Sequence, residues 1–179
     1  MRKARHYCQV CHAQARRPEF YRRGGVPDTP QGHFDLLCLH ASLFLIACKQ
    51  QKQNALAQAF FDQFFKDMEQ GLRLNGVSDL SIPRKNKGLM RALNGRVRAF
   101  DAALHGKRAQ EDVIRQNLLD QVQEEDGDAV IKSWADYMRD SFETLSASQL
   151  ELALPADNLF ARWGIEPQTA DEGGRKNAA

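Results

Sequence analysis

Residues Phe34 to Cys48, FDLLCLHASLFLIAC, form a run that is apolar on nearly every side of a helix, and a turn-rich segment, GGVPDTPQG, leads straight into it. A helix that is apolar all round has to be buried, in a protein core or in a bilayer. This one carries Asp35 and His40. A polar group buried without a partner costs about 2 kcal/mol or more, so the run is either a central structural helix with partnered polar groups or a binding site. Those two residues also interrupt it well short of the about 18 uninterrupted apolar residues of a membrane span. The N-terminus, MRKARHYCQVCHAQARR, is basic and lacks the apolar stretch of a secretory signal. We therefore expect a cytoplasmic protein.

The chain has 179 residues, 42% of them hydrophobic, enough for one substantial core and too few for two ordinary domains. Net charge is only +2, but residues 1–100 hold 17 Lys or Arg against 7 Asp or Glu, and the remainder holds 8 against 16. Such a split points to a basic surface for an anionic partner, RNA or lipid headgroups, or to an acidic half that folds against the basic one.

Periodicity reads as helix almost throughout. A first helix is expected from about Arg2 to Arg17, ending before Pro18, and a loop over Glu19 to Asp28 follows, broken by Gly24, Gly25 and Pro27. The second helix is capped by Thr29 with Pro30 in its first turn, or by Asp28 with Gln31 as a capping box, and reaches Lys49 to Gln53. In the third, Ala57, Phe60, Phe61, Phe64, Phe65, Met68 and Leu72 form a wide apolar stripe. Asp62 with Lys66 and Glu69 with Arg73 are i, i+4 ion pairs on its wet side, and Gly76 is the expected C-terminal cap. An exposed aromatic stripe would be a sticky patch, so it belongs to the core, and any exposed part of it is a chaperone surface.

A fourth helix runs from Pro83 to about Leu104, with Gly106 beyond it. Leu89, Leu93, Val97, Phe100 and Leu104 share its apolar seam, while Arg84, Lys87, Arg91 and Arg98, with Lys85 nearby, form a basic ridge without an intervening acid. That ridge is a solvated face or a site for an anion. Two more helices are expected, Ala109 to Gln123 and Asp128 to Leu145, joined by an exposed acidic link, EEDGD. The chain thus reads as one all-α domain of about six helices over residues 1–167, with a disordered polar tail over 168–179.

Enzyme signatures are missing from the pattern: no phosphate-cradling glycine loop, no HExxH and no nucleophile elbow. Asp35 and His40 are five residues apart, about 140° round a helix, so they form no catalytic dyad with each other. Cys8, Cys11 and His12 spell the CxxCH of covalent haem attachment, but that reaction belongs to the exported side of a membrane. A structural zinc needs a second ligand pair that is not evident. Cys8, Cys11 and Ala15 instead share one small-residue helix face, and Cys38 and Cys48 sit in the apolar run as small hydrophobes. No disulfide, metal or cofactor is expected.

Two longer runs carry a family resemblance: YRRGGVPDTPQGHFDLLCLH, and FDQFFKDMEQGLRLNGVSDLSIPRKNKGLMRALNGRVRAFDAAL. Together they resemble the ubiquinol-cytochrome c chaperone family from about Tyr7 to Leu104, and more weakly to Leu145. Specificity comes from the combination: GVPDT leading into FDLLCLH, an aromatic helix ending in DM, and GVSDL before a basic helix. Cys8, Cys11 and His12 depart from the family pattern, as does Leu93-Asn94-Gly95-Arg96, where an aromatic is expected before the glycine.

The resemblance implies a helical, non-enzymatic assembly factor for the respiratory complex that contains cytochrome b. Mitochondrial members work with a small partner protein at the ribosomal tunnel exit and receive newly made cytochrome b as it enters the membrane. The matching positions here are Val26, Pro27, Asp28, Phe34, Asp35 and His40, then Asp67, Gly76, Val77, Asp79 and Leu80, with Lys85 and Lys87 in the basic helix. They make a candidate partner surface, with the ridge of Arg84, Lys85, Lys87, Arg91 and Arg98 as a candidate contact for the ribosome or for anionic lipid at the inner face of the inner membrane. The competing reading is a cytoplasmic helical adaptor or RNA-binding module without chaperone activity; DNA is not expected as a partner.

Overall fold

In the computed structural model of the chain, residues 2–119, 124–150 and 159–163 are described. They form α1 (Arg2–Ala15), α2 (Pro18–Arg22), α3 (Pro30–Gln50), α4 (Asn54–Leu74), α5 (Ile82–Leu104), α6 (Gln110–Leu118) and α7 (Glu124–Ala147), with no strand among the described residues. The proposed tail, 168–179, lies outside them.

The apolar run is the keel. As α3 it packs against α1, α4, α5, α6 and α7. By length and composition it could cross a bilayer, but 72% of its most apolar window is buried inside the protein. Thr29 starts it: the backbone is extended there, Thr29 Oγ1 accepts the Gly32 N–H at 3.2 Å, and Pro30 occupies the first turn, where its missing donor costs nothing. The alternative Asp28–Gln31 box does not form. Asp28 faces His33, at 2.7 Å, and Gln31 Nε2 donates to Asp35 Oδ1 at 2.8 Å.

The GVPDT loop is folded onto that helix start. Val26 is buried, and the Pro27 carbonyl sits over Gly32 so closely that a Cβ there would lie 2.0 Å from it. Gly24 is under a similar constraint, since a Cβ would lie 2.5 Å from the Phe20 carbonyl oxygen. Its own carbonyl accepts the Trp134 indole N–H at 2.7 Å.

Helix ends follow the predicted glycines. Gly76 and Gly106 adopt φ values of 76° and 68°, and each closes a Schellman motif, with Val77 N–H on Leu72 O and Lys107 N–H on Ala102 O. α3 closes the same way at Lys52 (φ 56°), a residue without glycine's freedom. Beside it, Gln51 Nε2 reaches the carbonyls of Leu145, Ser146 and Ser148 at 2.9–3.1 Å, which caps the end of α7 from another helix.

Three sequence expectations are corrected. The stretch read as a loop from Glu19 begins inside α2: Arg17 is extended, Pro18 presets the first turn, and burial of Phe20 holds that turn against the core. The acidic EEDGD is the first turn of α7 rather than a link; negative charge is favoured at a helix N-terminus, and Gly127 is buried. Asp62 pairs with Gln58 rather than Lys66 among the described residues, whereas the Glu69–Arg73 pair forms at 2.7 Å.

The core is aromatic. Phe60 and Phe64 are fully buried, Phe65 nearly so, and Phe61 packs half-buried against them. Phe20, Trp134, Tyr137 and Trp163 form a second cluster, with Trp134 and Trp163 ring centroids 4.0 Å apart. Cys8, Cys11, Cys38 and Cys48 are reduced and buried. Burial pushes the thiols of Cys8, Cys38 and Cys48 up to about 12, so they pack as hydrophobes and are poor nucleophiles.

Candidate functional site

An open groove of about 740 Å³ lies at one end of the bundle, between α1, the start of α3, the end of α4 and the start of α5. Its floor is apolar: Phe34, Leu37, Met68, Leu72, Leu89 and Ala92. Its rim holds Arg16, Lys85 and Arg96 with the imidazoles of His12 and His33, and no carboxylate lines it. A second depression of about 710 Å³ continues between α1 and α4, sharing His12, Arg16 and Gly71 and adding Arg5, Lys66 and Asp67. The two make one channel with a mostly cationic edge.

The helices place these residues for simple reasons. The apolar stripe of α4 runs past the core it serves, so Phe60 and Phe64 are swallowed, Met68 packs against the edge of the core and lines the groove as well, and Leu72 lies half-buried in the groove wall. Gly71 adds no side chain there. On α5, Leu89 and Arg96 are seven residues apart and share a face, which carries Arg96 away from the outer basic ridge. Arg96 pairs with Asp35, both side chains about 15% exposed, and its guanidinium lies 5.6 Å from the Phe34 ring centroid. The pair pins the start of α3 to α5 in the groove wall.

Burial lowers the pKa of His12, and the neighbouring Arg16 lowers it further. The groove edge therefore holds a neutral imidazole beside fixed cations. That arrangement can grip an apolar segment and an acidic group next to it; it offers no nucleophile and general base in contact. Among the described residues, no group of three or more His, Cys, Asp or Glu is placed to hold a metal ion.

The sequence-selected residues fall into three places. Phe34, Asp35 and Lys85 belong to the groove and its wall, and Asp67, which accepts from Gln63 Nε2 at 2.7 Å, lines the adjoining depression. Val26 and His40 are interior and Pro27 is half-buried, while Gly25, Asp28 and Thr29 of the GVPDT loop are exposed, so the loop packs through Val26 and the Pro27 carbonyl and leaves Asp28 at the surface. Asp79, Leu80, Arg84, Lys87, Arg91 and Arg98 are exposed outside the groove; Asp79 pairs with Arg73 at 3.1 Å.

His40 completes a buried chain rather than a site. Its Nδ1 lies 2.7 Å from the Leu36 carbonyl and must carry the proton, so Nε2, 2.8 Å from the Tyr137 hydroxyl, accepts. Tyr137 in turn accepts from Gln14 Nε2 at 2.9 Å. Burial depresses the His40 pKa to about 4, keeping the ring neutral.

Sequence reasoning did not select His12, Arg16, Met68, Leu72, Leu89, Ala92 or Arg96 as site residues. One signal was present: Arg96 is a cation on the apolar seam of its helix, as Asp35 is an anion in an apolar run.

The model of the family described as ubiquinol-cytochrome C chaperone matches residues 22–154. The chain belongs to the ubiquinol-cytochrome c chaperone family. It is also similar to the crystal structure of the Cbp3 homolog from Brucella abortus, with a TM-score of 0.71 and 30% identity over 88% of this chain and 92% of that one. No curated protein matches the chain significantly. Family membership gives the chaperone a role in assembling ubiquinol-cytochrome c reductase and implies a binding rather than a catalytic function. The groove's lining from Pro30 to Arg96 lies within the matched span, whereas His12, Ala15 and Arg16 of its α1 side precede it.

Proposed function

We propose that the groove receives an apolar segment of newly made cytochrome b and shields it until it is assembled into the reductase. The observation that carries this reading is the open apolar floor of Phe34, Leu37, Met68, Leu72 and Leu89, edged by Arg16 and Lys85 and by Arg96, whose charge Asp35 in the wall compensates. Amphipathic helices dock into such grooves through anchors at i, i+3, i+4 and i+7. The exposed ridge of Arg84, Lys87, Arg91 and Arg98 holds the chaperone at an anionic surface where the client emerges, at the inner face of the inner membrane. A small partner protein and the ribosome fit the same picture.

Met68→Glu and Leu72→Glu place charges on half-buried floor positions; Met68 also touches the core, so an unchanged melting temperature is required of each variant, and Leu72→Glu carries the test alone if Met68→Glu is destabilised. Crosslinking of newly made cytochrome b to the chaperone should fall at least about tenfold, and cells carrying the variants should lose assembled cytochrome b. Normal capture by folded variants, or normal cytochrome b after deletion of the gene, overturns the reading. A helical RNA-binding module, the competing function, draws on the same ridge. Tight binding to protein-free RNA with a steep salt slope, together with normal cytochrome b, would favour it.

A further inference from the structure

The two most exposed large apolar side chains of the described residues share one corner of the molecule. Leu80 is 96% exposed and Leu74 is 81% exposed. Leu74 ends α4 and Leu80 lies two residues before α5, and the 3.1 Å contact between Arg73 Nε and Asp79 Oδ1 draws the two ends of the connector together. A single exposed leucine is ordinary. Two on one short connector, with the half-buried Val77 between them in sequence, make an exposed apolar corner, where Leu74 also borders the second depression.

Cations flank that corner. Arg84, Lys85, Lys87 and Arg91 follow in the first turns of α5, all exposed, and none makes an ion pair among the described residues. Asp79 is the one carboxylate between Leu74 and Arg98, and Arg73 compensates its charge. The corner therefore presents apolar side chains at its apex and uncompensated positive charge along its flank.

Three kinds of partner could meet positive charge, and the leucines choose among them. A nucleic acid backbone would satisfy the cations and leave Leu74 and Leu80 in water. A protein partner needs a surface broad enough to bury on the order of 1,000 Å² in total, more than two leucines on one short connector offer. A bilayer deforms around such a corner: apolar side chains enter the boundary between headgroups and acyl chains while Lys and Arg meet lipid phosphates.

We infer that the α4–α5 corner docks the chaperone on an anionic phospholipid bilayer, with Leu74 and Leu80 inserted at the interface and Arg84, Lys85, Lys87 and Arg91 on the headgroups. The inference rests on the client reading above only for its purpose, because Lys85 belongs both to this corner and to the groove rim. Docking there sets the mouth of the groove beside the membrane, where an apolar segment leaves water.

Vesicle flotation tests it with the full chain and with phosphatidylcholine vesicles prepared with or without phosphatidylglycerol. The wild-type chain should float only with the anionic vesicles, and less as salt rises. Leu74→Ser with Leu80→Ser should weaken flotation about tenfold or more, and Arg84→Ala with Lys87→Ala and Arg91→Ala should do the same. All five positions are exposed, so an unchanged melting temperature will show that the fold is intact. In Leu80→Trp, the added indole emission should move to the blue when anionic vesicles are supplied and stay put with neutral ones. Flotation unchanged by the leucine pair, or an unshifted indole, overturns the inference; tight binding of protein-free RNA that ignores the leucines assigns the flank to nucleic acid instead. Met68→Glu, on the groove floor, should float like the wild-type chain whether or not it captures client, so the two readings fail separately.

Discussion

Asp35 and His40 stand on the same apolar helix, five residues apart, and the molecule treats them in opposite ways. Around His40 every polar atom of the chain from Gln14 through Tyr137 to Leu36 is paired, and His40 is wholly buried. Around Asp35 the pairing with Arg96 is one layer from solvent, and the apolar side chains beside it line an open groove. One end of α3 is finished and the other is left for a partner. The difference teaches that a polar group in an apolar helix marks function only where its partner also borders unfilled apolar surface.

Acid should break the closed end first. His40 titrates near 6.5 when unfolded and at about 4 when folded, so the unfolded chain binds the proton that the native core refuses. Stability is full above about pH 6.5 and is lost as pH falls toward 4, by on the order of 3 kcal/mol. Urea titrations across that range should show the loss, and His40→Gln should flatten the slope between pH 6.5 and 5 whatever it does to absolute stability.

Gly32→Ala attacks the foot of α3, where the added Cβ meets the Pro27 carbonyl. A loss of about 2 kcal/mol, read as a lower urea midpoint, is expected. An unperturbed midpoint would mean that the GVPDT loop is not packed on the helix.

The direct comparison pairs Tyr137→Phe with Asp35→Asn. The first strands the Gln14 amide and His40 Nε2 in the core and should cost about 2 kcal/mol. The second weakens a pair that water partly reaches and should cost about 1 kcal/mol. Client capture should reverse the order, with Asp35→Asn the more damaging. Equal effects in both assays would erase the distinction between the two ends.

The smallest effect is a gain. Gly95 lies inside α5, and a methyl group added there would find nothing within 4 Å, so Gly95→Ala should stabilise the chain by up to about 1 kcal/mol in thermal melts. A destabilised variant would show that this outer face is packed, unlike the groove side of the same helix.

Much of this was legible in the sequence because periodicity and end signals agree. The α4 stripe, the α5 seam, Thr29 before Pro30, and Gly76 and Gly106 each specify a face or an end from local chemistry alone. What was not legible depends on distant pairing. Nothing near Asp35 announces Arg96, which lies 61 residues away, and nothing in a phenylalanine stripe says which of its turns runs past the core into the groove. The acidic start of α7 is ambiguous in the sequence, because carboxylates suit a solvated link and a helix N-terminus equally. Phe20 gives no helical signal in the sequence, because a five-residue helix held by one buried ring has no period to detect.

Gln51 carries a consequence for motion. Its single amide holds the last carbonyls of α7 from the far side of the sequence, while Lys52 beside it closes α3 in a left-handed turn. The end of α3 cannot fray alone, since opening it withdraws Gln51 and strips the cap from α7. Whenever it opens, the terminal amides of both helices should exchange with solvent together, a hinge-free seam on the bundle.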